Sequence, residues 1–264
     1  MSTTVQAERV VEPWPLARRA VSGLAQPGGR VMLERALDAA GAGDGDRVVE
    51  LAPGLGLTTD ALLARDPREW TGVEPDPLAA GRLAKEFGGA GRAVVEAPVD
   101  ATGLPDESAT LVVADALLST LDAHGREAVL AEARRLLRPG GRVVLHELIP
   151  APGLASDREA SEALEAIGIA PPSEEGWREA AEAAGLVVVG SLVGALAMPP
   201  QRDLMRRAGP RTALRITRRL ATDHALRGLA TRSRQTLERR ALSLRSVVVV
   251  AEMPLILGMR RPRR

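Results

Sequence analysis

The chain has no cysteine and no tyrosine, and its 264 residues hold one phenylalanine (Phe87) and three tryptophans (Trp14, Trp70, Trp177). Without thiols there is no disulfide framework, no thiolate nucleophile and no cysteine-bound zinc. With so few aromatics, single-stranded RNA lacks the stacking platforms that usually receive its bases. Lysine is nearly missing as well: Lys85 stands alone and arginine carries the remaining positive charge, which reads as a compositional bias. Long apolar runs are also absent. The stretch 247–259 is interrupted by Glu252, Pro254 and Gly258, too short and too broken to span a bilayer. The first ten residues are polar and mixed in charge, without the apolar segment of a signal peptide. These absences lead to the expectation of a soluble, cytoplasmic protein.

What is present begins with charge. The net charge is +1, yet residues 201–264 hold 17 arginines against four acids, so the rest of the chain is acidic. Either an anionic partner meets the basic quarter, or one half neutralises the other. The length suffices for a large core. Apolar runs and helical patterns alternate through the first half: strands at 46–51, 69–73, 92–96, 111–114 and 142–148, and helices at 29–40, 58–65, 77–87 and 126–137. Such alternation predicts βαβ units and a mostly parallel sheet. Arg138-Pro-Gly-Gly141 reads as a helix stop. Later come a helix at 173–184, a strand at 186–197, an arginine-rich helical region at 202–240 and a β-branched last strand at 242–253.

The most informative stretch is Val48-Val-Glu-Leu-Ala-Pro-Gly54-Leu-Gly56-Leu-Thr-Thr59. A buried strand ends in an acid, turns through two glycines and enters a helix, the arrangement that commonly holds nucleotide-like cofactors. Glycine lets the backbone turn tightly and approach a ligand closely. A third glycine, the mark of dinucleotide-binding loops, is missing at Thr59, which disfavours a dehydrogenase.

These landmarks resemble the class I S-adenosylmethionine-dependent methyltransferases, in particular the small-molecule type similar to the ubiquinone and menaquinone biosynthesis enzymes. The resemblance runs in order over about residues 47–150 and more loosely to Pro254. It implies an α/β, Rossmann-like, doubly wound sheet of seven strands, mostly parallel with the last antiparallel, and S-adenosylmethionine as cofactor. Glu50, Ala52, Pro53, Gly54 and Gly56 match the first motif, around the methionine part of the cofactor. Glu74 and Pro75 match the second strand end, where an acid holds the ribose hydroxyls, as a carboxylate accepting two bonds from a diol can do. Asp100 and Ala101 match the adenine contact, and Asp115 and Ala116 the pocket wall after the fourth strand. Two departures stand out: Ala52 replaces the family's usual first glycine, and roughly 45 residues replace a short hairpin before the last strand.

The implied organisation is a helical leader or cap at 1–40, a core at 41–197 and 241–257, and an arginine-rich insertion at 198–240 acting as lid or interface. His146, near the end of the fifth strand, is the candidate general base, its pKa range suiting proton abstraction; the alternative is a structural histidine. Its neighbour Glu147 faces the other side of the strand. His124 and His224 read as solvated, and the three histidines lack ligand spacing, so no metal is expected. The expected reaction is methyl transfer to a small-molecule acceptor at O, N or C. Two alternatives stand beside it: an RNA methyltransferase using the basic quarter, and a methyltransferase-like protein with non-methylating chemistry. Nucleic acid is the disfavoured partner, no membrane span is expected, and a homodimer is compatible with the sequence.

Overall fold

A computed structural model describes residues 13–255. Seven strands form one sheet: β1 (Arg47–Leu51), β2 (Glu69–Val73), β3 (Arg92–Val95), β4 (Ala109–Asp115), β5 (Leu137–Pro150), β6 (Val187–Ala195) and β7 (Leu244–Glu252). Their order is β3-β2-β1-β4-β5-β7-β6. Neighbours from β3 to β5 run parallel, and β7 is antiparallel to both β5 and β6. The strand order reverses between β1 and β4, and open α/β sheets gather ligands beyond the carboxyl ends of such strands.

Around the sheet lie α1 (Leu16–Ser22), α2 (Gly29–Ala39), α3 (Leu57–Leu63), α4 (Pro77–Phe87), α5 (Ala123–Leu136), α6 (Arg158–Glu165), α7 (Glu174–Ala183), α8 (Gln201–Thr222) and α9 (His224–Arg239). Leu33, Leu37, Leu62, Leu83 and Trp70 pack α2, α3 and α4 on one face. Val129, Leu130, Trp177 and Ala181 pack α5 and α7 on the other. Covered on both faces, β4 is buried along its whole length, which explains its unbroken apolar run. A third cluster, including Trp14, Leu24, Leu148, Leu164 and Leu237, caps the carboxyl edge between α1, α6 and α9.

The seven-stranded α/β sheet matches the expectation, and several boundaries differ. The chain leaves α5 directly into β5, without the expected turn at Arg138–Gly141. Gly140 N donates to Met253 O and Met253 N to Gly141 O, extending the pairing with the chain beyond β7. The register with β4 slips between Ala109 and Leu111, and Gly140 takes φ 75° at this irregularity, a bulge geometry that glycine permits. Helix α6 was not expected, and α1 falls within the helical leader expected at 1–40, where only the stretch 29–40 is delimited by the sequence. At seven residues α1 is too short to show periodicity, and tertiary packing of Leu16, Ala17, Ala20 and Val21 sustains it. The arginine-rich region is two helices, with α8 kinked at Gly209 (φ 75°, ψ 162°) where Pro210 opens its second half. The first twelve residues of the expected leader, and positions 256–257 of the expected core, lie outside the described residues.

Candidate active site

β1 ends at Leu51, and the chain turns at Ala52 with φ 51°, a left-handed conformation that costs an alanine about 1 kcal/mol or more. Gly54 (φ 57°) and Gly56 (φ 73°) complete the loop into α3. The two glycines serve different ends. A Cβ on Gly56 would come within 2.5 Å of the Phe87 ring, so this glycine lets α3 pack on α4, whereas one on Gly54 would meet the Arg19 guanidinium at 3.1 Å.

Glu74, at the end of β2, pins the loop. Its Oε2 accepts from Gly54 N at 2.8 Å and its Oε1 from Asp76 N at 3.0 Å. Burial pushes its carboxyl up, and the Arg19 charge and these backbone donors oppose the shift. Glu50 is wholly buried at the end of β1. Its Oε2 accepts from Thr59 Oγ1 (2.8 Å) and Trp70 Nε1 (3.0 Å), while Oε1 has no hydrogen-bond partner among the described residues. Burial pushes its carboxyl up to about 8, against those two donors. Asp115, at the end of β4, accepts from Gln26 N (3.1 Å) and from the Thr58 hydroxyl.

Two cavities share this edge. One, about 20 Å³, is lined by Arg19, Gln26, Glu50, Ala52, Thr58 and Asp115 among others. The second, about 530 Å³, is walled by Trp14, Glu74, Pro75, Asp76, Pro98 and Arg219 with their neighbours. Glu74 holds the loop of the first and lines the second. Asp100 and Ala101 lie just past the Glu96–Pro98 wall, and Asp100 Oδ1 is buried with no partner among the described residues. Ala116 is buried with φ 51°, and its N–H donates to His146 O.

His146 is completely buried and lines neither cavity. Its Nε2 accepts from Gly28 N at 2.9 Å, so a neutral ring carries its proton on Nδ1, 3.6 Å from Asp115 Oδ2. The Gly28 backbone covers the nitrogen that a general base would use. Glu147 faces the opposite side and accepts from Leu117 N, Leu118 N, Ser119 N and Ser119 Oγ. Burial raises its carboxyl to about 7 in spite of these donors. Among the described residues no three His, Asp or Glu side chains gather as a metal site, and no helix is long and apolar enough to cross a membrane.

The family model described as a methyltransferase domain matches residues 49–145, from β1 through the middle of β5. Residues 49–145 are a methyltransferase domain. The sheet around it has the Rossmann-like fold of solved methyltransferases. It superposes on the [4+2]-cyclase SpnF with a TM-score of 0.64 at 15% identity, covering 86% of this chain and 81% of that one. A putative sarcosine dimethylglycine methyltransferase from Galdieria sulphuraria gives 0.61 at 15% identity, covering 85% and 84%. Geranyl diphosphate C-methyltransferase from Streptomyces coelicolor A3(2) gives 0.58 at 17%, covering 84% and 77%. At these identities the likeness is one of fold. In sequence, 85 residues are 44% identical to the ribosomal RNA small subunit methyltransferase A of Gloeobacter violaceus. That match covers 32% of this chain, which spans only 30% of the relative's length.

The residues of the methyltransferase domain fit S-adenosylmethionine. Buried acceptors without partners, Glu50 Oε1 and Asp100 Oδ1, suit a ligand that brings N–H donors and positive charge. The structure brings Glu50, Ala52, Pro53, Gly54, Glu74, Pro75 and Asp115 to one edge. It turns Gly56 toward Phe87 and seals His146. Motif reasoning missed Arg19 and Gln26, which come from outside the matched segment and carried no local pattern to mark them, whereas Trp14 in the leader and Arg219 in the arginine-rich insertion lie in the two segments the sequence offers as covers of the acceptor pocket.

Proposed function

We propose that this protein transfers the methyl group of S-adenosylmethionine to a small molecule with an apolar body. The observation that carries the reading is the shared edge: Glu74 pins the glycine loop beside the unsatisfied Glu50 and also lines the 530 Å³ cavity. Glu74 would hold the ribose hydroxyls, since each of its oxygens uses one acceptor position on a backbone N–H and keeps another. Asp100 would take the adenine amino group, and Glu50 with Asp115 the cationic end. The sulfonium supplies a methyl group that is already electrophilic. The chain's own task is therefore to align the acceptor and keep water out. Trp14, Pro15, Pro75, Ala97 and Pro98 give the larger cavity an apolar wall that suits an apolar acceptor. The α8–α9 insertion acts as its lid: Arg207 and Arg219 reach the acids Asp60, Glu86 and Asp76 beside the site.

The 44% identical segment favours a second reading, methylation of RNA. The few aromatics, and the use of these arginines on the protein's own acids, favour the small molecule. Thermal melting tests the central reading. A ligand at about 100 times its Kd stabilises the folded state by about 2.7 kcal/mol. S-adenosylmethionine and its demethylated product are expected to raise Tm, NAD is not, and Glu74→Ala shrinks the shift. No shift with either sulfur compound overturns the proposal.

A further inference from the structure

The sheet has two edges, and the chain guards only one of them. β3 is four residues long, starts at Arg92 and is followed by Glu96, and Gly89 takes up the backbone N–H and carbonyl of Arg92. Short length, charge and cover are the usual means of keeping an edge strand from further pairing. β6, at the opposite edge, runs nine residues, Val-Val-Val-Gly-Ser-Leu-Val-Gly-Ala, with no charge and no proline. Among the described residues only β7 pairs with it, and beyond a bulge between Val188 and Gly190 the register holds unbroken to Ala195. Its one polar side chain, Ser191, donates to Glu174 on α7. Apolar exposure gathers here too. Of the seven large apolar residues exposed among the described residues, Val187, Val189, Leu192 and Val193 lie on β6 and Val31 on α2, which packs against it. These five are 41% to 67% exposed. Apolar residues scattered singly are ordinary on a surface, whereas a contiguous group marks an interaction site.

We infer that β6 pairs with β6 of a second copy of this chain, antiparallel about a twofold axis, and joins the two sheets into one. A twofold contact sets the same patch of both copies against itself, so a charge on the strand would face its like and weaken the pair. β6 carries none. For the same reason the strand holds no charge with which to select a foreign sequence. The area also suffices. Nine extended residues reach about 30 Å, and with a helix about 10 Å across on each face of the sheet the edge is roughly 25 Å deep. That product is on the order of the 800 Å² that each partner gives to a stable interface. β5 and β7 separate β6 from β4, so the pairing leaves the glycine loop open and does not depend on the cofactor reading.

Sedimentation equilibrium, joined to amide hydrogen exchange over residues 187–195, tests this. Wild type is expected to sediment as two chains at micromolar concentration. Leu192→Lys sets like charges near the axis and is expected to raise the dimer's Kd about tenfold or more. Leu214→Lys, the same change at an exposed leucine of α8, is expected to leave that Kd unchanged. The β6 amides of wild type are expected to exchange more slowly as its concentration rises, because pairing covers the outer edge. This last readout needs no variant, so it stands even if Leu192→Lys does not fold. A wild type that stays monomeric overturns the inference. So does a dimer that Leu192→Lys leaves intact, or that Leu214→Lys weakens as much. A dimer whose β6 amides exchange at one rate at every concentration is built on another face, and overturns it too.

Discussion

Two residues of the glycine loop have measurable consequences. Glu50 titrates near 8 in the folded chain against 4.5 when free, because burial penalises its charge. A carboxyl raised in this way favours folding fully below about pH 4.5, and that contribution drains away as the pH climbs to about 8, by up to about 1.4 kcal/mol per unit. Glu147 adds a similar slope that ends near 7, and buried Glu74 is raised as well, so in the window from pH 7 to 8 the share due to Glu50 is read by removing its charge. Urea titrations across that window are expected to show falling stability in wild type and a flatter profile in Glu50→Gln. An identical slope in the variant would remove Glu50 as its source. Ala52 holds φ 51° while its N–H donates to Val73 O at 2.7 Å. Relief of the left-handed strain exceeds the added backbone entropy of glycine. Ala52→Gly should therefore stabilise the protein by about 0.5–1 kcal/mol in the same titration; a loss of stability would show that the alanine is unstrained.

Among the elements, α8 reaches the glycine loop through one side chain. Arg207 donates to Leu55 O, Gly56 O and Asp60 Oδ1, pairs with Glu86 Oε1 at 2.7 Å and lies over the Phe87 ring. The guanidinium is three-quarters buried, so Arg207→Ala is expected to cost about 1–3 kcal/mol by leaving these acceptors unmatched. Lysine should restore only part, because it cannot fork between carbonyls and carboxylates. An unchanged Tm in Arg207→Ala would show that α8 is held by its apolar face alone. The elements themselves were unevenly legible. β2 and α4 fall where the sequence places them, since Pro77 and the cap Asp76 start α4 locally: Asp76 Oδ1 accepts from Leu78 N and Ala79 N. α1 was not delimited because its stability comes from α8 and α9, far along the chain.

At the scale of the molecule, the uneven charge has a structural account. Part of the basic quarter docks on the acidic body through Arg207 with Asp60 and Glu86, Arg219 with Asp76, and Arg240 with Glu159. Arg211, Arg215 and Arg218 remain on the exposed side of α8. From the sequence alone came the α/β order, the glycine turn and the acids closing β1, β2 and β4, because each depends on backbone geometry within a few residues. Only the tertiary structure decided what covers that edge. Gly28 reaches His146 across 118 positions, Gln26 reaches Asp115 across 89, and Arg19 reaches the Asp115 carbonyl across 96. Gly56 likewise owes its glycine to Phe87 on another helix. Such contacts follow from how helices settle on a finished sheet, and no local pattern records them.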